Sequence, residues 1–128
     1  RKDSLDLTDN DRRRIVERVK MDRQDQVVVT HGTDTMVETA KALSECPGKT
    51  IVLTGAMQPA ACKESDAPFN IGAACTAAQL LPVGVYIAMN GRVWDPHRAT
   101  KNVAQNRFEV RGAASMRGDP ADDWKARG

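Results

Sequence analysis

The sequence predicts an α/β fold, three layers deep, with helices on both faces of a mostly parallel sheet. Short apolar runs, Val27-Val28-Val29, Ile51-Val52-Leu53 and Val85-Tyr86-Ile87-Ala88-Met89, alternate with longer segments whose apolar residues recur at helical spacing. The first two runs lead into turns of small and polar residues, His31-Gly32-Thr33-Asp34-Thr35 and Gly55-Ala56-Met57. Right-handed crossovers set the strand ends at Thr30, Thr54 and Met89 along one edge, which is where ligands gather in an open α/β sheet.

Taken in order, Thr8 is the N-cap of a first helix that runs to about Met21, with Asp11 where a capping box prefers Glu, so that the box is expected to be imperfect. Ile15, Val16 and Val19 form its apolar stripe. Met36, Val37, Ala40 and Leu43 mark the second helix, which Pro47-Gly48 stops. Ala60 to Pro68 reads as an irregular polar loop, and Asn70 to Leu81 as a helix of small residues that can lie close to a sheet. Asn90-Gly91 is a strong hairpin signal, returning through Arg92-Val93-Trp94, and Asp95 to Gln105 is expected to be a polar loop. One domain over 1–111 is predicted, followed by a loosely attached or disordered tail over 112–128, where Gly, Ala, Asp and Arg prevail. The chain begins at Arg1 rather than Met and reads as a fragment.

With 19 basic against 17 acidic residues, the formal charge of +2 gives no reason to expect nucleic acid or a membrane surface as partner. Cys46, Cys62 and Cys75 form no CxxC pair and read as reduced thiols of a cytoplasmic protein. Two histidines, His31 and His97, without a clustered acid pair give no metal site, and no Walker loop, GxGxxG or GxSxG calls for a cofactor. His31 could still be a ligand or a base, whereas His97 reads as a loop residue.

The candidate chemistry lies in the first turn. Thr33 and Asp34 can be simple helix caps, yet four polar side chains crowd a turn that needs one cap. Lys101 is the lysine in the segment after the third strand and gains a role if Asp34 stands near it. A carboxylate would hold the ammonium, which could then pass a proton to or from the Thr33 hydroxyl.

At this point the motifs resemble a known family. Val29-Thr30-His31-Gly32-Thr33-Asp34-Thr35-Met36 is similar to the second signature of the bacterial-type L-asparaginases. Leu53-Thr54-Gly55-Ala56-Met57-Gln58-Pro59 resembles their GAM-x-P turn. Ser65-Asp66-Ala67-Pro68-Phe69-Asn70 resembles their S-x-D-x-P-F-N helix entry, with one residue fewer between Ser and Asp. Asp3-Ser4-Leu5-Asp6-Leu7-Thr8 resembles their D-S-x-D-M-T loop. The resemblance is strongest to short, single-domain asparaginase-like proteins that end near an Asn-Arg-Phe-Glu segment, here Asn106 to Glu109.

The resemblance implies the N-terminal domain of an asparaginase, lacking its first strand, and hydrolysis of L-asparagine, with L-glutamine as a second substrate. It implies a Thr33–Asp34–Lys101 triad and a substrate site of Asp3, Ser4, Gly32, Thr33, Asp34 and the Ala56 carbonyl, which receives the side-chain amide. A homo-oligomer without cofactor is also implied. The family's primary nucleophile, a threonine in a T-G-G-T-I turn, and its helper tyrosine have no counterpart in these residues. An amino-acid-binding pseudoenzyme and an amidotransferase-type subunit therefore stand as alternatives.

Overall fold

A computed structural model of the chain describes residues 7–57, 65–102 and 107–110. Its elements are α1 (Asp9–Met21), β1 (Gln26–Thr30), α2 (Met36–Leu43), β2 (Thr50–Thr54), α3 (Ala67–Leu80), β3 (Gly84–Met89), β4 (Arg92–Trp94), β5 (Ala99–Asn102) and β6 (Arg107–Val110).

The first four strands form one sheet in the order β1-β2-β3-β4. β1, β2 and β3 are parallel, with Thr30 opposite Thr54 and Leu53 opposite Ile87, so their carboxyl ends share one edge as expected. β4 returns antiparallel to β3 through Asn90 and Gly91, both with positive φ (58° and 73°), as a two-residue hairpin turn demands.

Side-chain alternation along the strands separates two cores. Ile51, Leu53, Ile87 and Met89 face α1 and α2, where they meet Val16, Val19, Met36, Ala40 and Leu43. Val52 and Ala88 face the other way, onto Ala74, Ala77 and Ala78 of α3. The small residues of α3 thus do what their size suggests, since a helix presenting only methyl groups can lie close to the strands. The result is the three-layer α/β/α arrangement.

Three local readings change. The α1 capping box is complete: the Asp11 N–H donates to Thr8 Oγ1 at 3.2 Å, and the Thr8 N–H donates to Asp11 Oδ2 at 3.0 Å. Asp is one methylene shorter than Glu but still reaches. The third helix starts at Ala67 with Pro68 in its first turn, which puts Asn70 inside it. Part of the expected polar loop 95–105 is strand: β5 pairs antiparallel with β6, Lys101 opposite Phe108. Its cue was hidden because Ala99-Thr100-Lys101-Asn102 has a single small apolar residue. Ala99 and Phe108 are nevertheless buried, and the Phe108 ring tilts against Trp94 at 6.1 Å. The proposed tail lies outside the described residues.

Candidate active site

β1 and β2 stay joined one residue beyond their ends, because the His31 N–H donates to the Thr54 carbonyl at 2.9 Å. Gly55 is required at this junction. A Cβ there would lie 2.2 Å from the His31 carbonyl oxygen, well inside contact distance. The two small-residue turns are thereby pressed against each other.

His31 locks its own turn. Its Nδ1 lies 2.5 Å from the Gly32 carbonyl oxygen and its Nε2 lies 2.9 Å from Thr39 Oγ1, an arrangement that suits a neutral ring donating from Nδ1 and accepting at Nε2. Burial holds its pKa below the ordinary value. The Gly32 carbonyl and Glu38 oppose this, and Arg12 adds to it. With both ring nitrogens engaged, His31 is a clamp between turn and helix rather than the ligand or base that its position suggested.

The capping account of Thr33 and Asp34 also fails. The cap of α2 is Thr35, whose side chain makes no capping hydrogen bond. Thr33 and Asp34 turn instead to Lys101, whose Nζ donates to Thr33 Oγ1 at 2.7 Å and to Asp34 Oδ1 at 2.5 Å. The Lys101 side chain is 8% exposed and that of Asp34 is 26% exposed, so the ammonium is sheltered and the carboxylate keeps partial contact with solvent. β5 delivers this lysine, and the burial of Ala99 and Phe108 holds β5 in place. The three groups named from the sequence are therefore together, although 67 and 68 residues separate Lys101 from its partners.

Chemically, an ammonium shared by a hydroxyl and a carboxylate has the geometry that proton transfer needs. The carboxylate fixes the ammonium, and the ammonium polarises the hydroxyl and fixes its direction. Gly32 is exposed and Ala56 half-exposed, so the backbone of both turns is accessible. Asp3 and Ser4 lie outside the described residues. No group of three metal-ligating side chains occurs among the described residues.

Two residues were missed as site elements. Asn70, fully buried, donates from Nδ2 to the Gly55 carbonyl at 3.0 Å and to Asp66 Oδ2 at 2.9 Å, and its Oδ1 accepts from the Asn90 N–H at 3.2 Å. Asp66 Oδ2 also accepts from the Met57 N–H at 2.9 Å. The available cue was an Asp and an Asn four residues apart, hence on one helix face.

Comparison with known proteins agrees with this architecture. The family model described as asparaginase, N-terminal, matches residues 1–115. L-asparaginase 2 of Escherichia coli (strain K12) is 39% identical over 106 residues, spanning 77% of this chain and 30% of that protein. A glutamyl-tRNA(Gln) amidotransferase component of Methanococcus vannielii is 45% identical over 74 residues, covering 54% of this chain and 17% of its own length. The crystal structure of L-asparaginase I from Vibrio cholerae O1 biovar eltor superposes with a TM-score of 0.74 at 34% identity, over 85% of this chain and 35% of that one. The chain thus spans about a third of the length of these asparaginases. Sequence and overall fold agree, and the chain belongs to the asparaginase family as an example of its N-terminal domain.

Proposed function

We propose that the protein carrying this chain hydrolyses the side-chain amide of L-asparagine to L-aspartate and ammonia. The observation that supports this best is the Lys101 ammonium, hydrogen-bonded at once to Thr33 and Asp34 beside two accessible backbone turns. In this reading Asp34 holds the substrate's α-ammonium and orients Lys101. Ser4 and Asp3 complete the α-carboxylate and α-amino contacts, with the Gly32 and Thr33 backbone alongside. The Ala56 carbonyl accepts a hydrogen bond from the substrate's amide nitrogen. The oxygen of a water molecule adds to the amide carbon, its proton passing to Thr33 as Thr33 and Lys101 hand one on to the leaving nitrogen, and the tetrahedral oxyanion that forms is stabilised by backbone N–H groups. The C–N bond then breaks, and the nitrogen leaves as ammonia with that proton. The net reaction consumes one water. L-Glutamine, one methylene longer, is the second candidate substrate.

Ammonia release from L-asparagine tests this on the chain alone and on the chain extended by a Thr-Gly-Gly-Thr-Ile turn, each with Thr33→Val and Lys101→Met controls. Turnover abolished by both substitutions is expected. Calorimetric binding of L-aspartate without turnover would instead favour an amino-acid-binding pseudoenzyme, and neither binding nor turnover by a folded chain refutes the reading. The likeness to an amidotransferase component supports a second reading, in which the same chemistry supplies ammonia to a partner.

We further propose self-association through α3. Phe69, Ile71 and Leu80 are exposed on it, and no charged residue occurs between Asp66 and Arg92. Sedimentation velocity before and after Leu80→Lys tests this. Free thiols at Cys46 and Cys75 support a cytoplasmic location. No helix among the described residues is long and apolar enough to cross a membrane.

A further inference from the structure

We infer that Asp66 and Asn70 are positioning residues that aim the Ala56 peptide groups and so set the preference for a side-chain amide over a carboxylate. The inference rests on the amidohydrolase reading of this site and assigns it a specificity device.

A carbonyl and the following N–H lie in one rigid plane and, across a trans bond, point in opposite directions. The Ala56 carbonyl shares its plane with the Met57 N–H, and that N–H is tied to Asp66 Oδ2 at 2.9 Å. Asp66 therefore sets the direction of the Ala56 carbonyl, which must point away from Asp66 and α3. The Gly55 carbonyl shares its plane with the Ala56 N–H and is tied to Asn70 Nδ2 at 3.0 Å. Asn70 thus fixes the peptide on the other side of Ala56. The two anchors are themselves joined, Asn70 Nδ2 to Asp66 Oδ2 at 2.9 Å. Asn70 is fully buried and also holds the Asn90 N–H, which pins it to the end of β3. Ala56 is left half-exposed between two fixed planes.

α3 covers one face of the sheet, and α2, with Thr33 before it, covers the other. A carbonyl directed away from α3 faces the side where the Thr33–Lys101 relay stands. It accepts a hydrogen bond from an amide NH2, but a carboxylate has no hydrogen to offer and is repelled. The same aimed carbonyl would hold the substrate and expel the acidic product.

Calorimetry on the 128-residue chain, with L-asparagine and L-aspartate as separate titrants, tests the inference. In the Asp66→Ala variant the preference for asparagine over aspartate should fall about tenfold, mainly through weaker asparagine binding. Asp66→Asn keeps an oxygen acceptor for the Met57 N–H and should retain the preference to within about threefold. Equal weakening of both ligands by Asp66→Ala would show a merely structural role and overturn the inference, as would no change for either. Hydrogen exchange at the Met57 amide supplies an arm independent of ligand. It should be protected in the unaltered chain and lose protection in Asp66→Ala while the amides of β2 keep theirs. A fast-exchanging Met57 amide in the unaltered chain overturns the aiming even if neither amino acid binds, whereas absence of binding with a protected Met57 amide counts against the amidohydrolase reading alone.

Discussion

Removing the Asp34 carboxylate tests how tightly the relay is coupled. Lys101 Nζ sits 2.5 Å from Asp34 Oδ1, and its side chain is 8% exposed. At an effective dielectric of about 20, that distance corresponds to a gross attraction of about 7 kcal/mol. Desolvation of the two ions offsets most of it, at several kcal/mol for a well-buried ion and less for Asp34, which keeps 26% of its side-chain surface in contact with water. A net coupling of about 2 kcal/mol is expected. Asp34→Ala should cost about 3 kcal/mol because it leaves a sheltered ammonium without its counter-ion, whereas Lys101→Met should cost about 1 kcal/mol because Asp34 retains access to water. The double substitution should cost about 2 kcal/mol, less than the two singles together. Urea unfolding of the four proteins at constant m-value measures this. Singles that add to within about 0.5 kcal/mol would refute the coupling and with it the relay.

Gly55→Ala should destabilise the chain by about 3 kcal/mol and impair ligand binding, since the new methyl meets the His31 carbonyl oxygen and must part the ends of β1 and β2; denaturation and calorimetry check both effects. His31 predicts a pH dependence. Burial lowers its folded-state pKa, so below the ordinary value of 6.5 the unfolded chain binds more protons than the folded one. The stability contribution is present above that value and is lost as pH falls through the window beneath it. Urea midpoints should therefore drop between about pH 7 and pH 5, and His31→Gln should flatten that drop. Lys49, buried with its Nζ bonded to the Asp22 and Gln24 carbonyl oxygens at 2.6 and 2.5 Å, ties the link between α1 and β1 to the start of β2. Lys49→Met should cost about 2 kcal/mol in the same unfolding assay, because two carbonyls lose a charged donor.

The elements legible in the sequence were those that repeat one periodicity without interruption. Val27 to Val29, Ile51 to Leu53 and Val85 to Met89 read as buried strands and are strands, but only β2 is buried throughout, since β1 lies at the sheet edge and stays half-buried; Asn90-Gly91 could hardly be anything but a hairpin. β5 was not legible, because a strand held by its partner's Phe108 and by Trp94 need not carry apolar residues of its own. The Thr33–Asp34–Lys101 contact was legible only through a family pattern, as no local rule links residues so far apart. Asn70 reads as the start of a helix rather than as the buried amide that joins two strand ends, because hydrogen-bond partners supplied by other elements leave no local trace.

The placement of Lys101 on β5 also bears on the order in which the chain assembles. In an unstructured chain, bringing Lys101 to Thr33 closes a loop of 68 residues. Once the four-stranded sheet has formed as far as Trp94, only a handful of residues remain to be ordered, and the closure entropy falls by roughly 2 kcal/mol. Sheet first and relay last is therefore the favoured sequence. On fluctuation the order reverses: β5 and β6 form a separate two-stranded unit and can detach while β1 to β4 remain paired. The Lys101 contact to Thr33 and Asp34 is then a sub-global property, lost at a smaller free-energy cost than the fold that carries it.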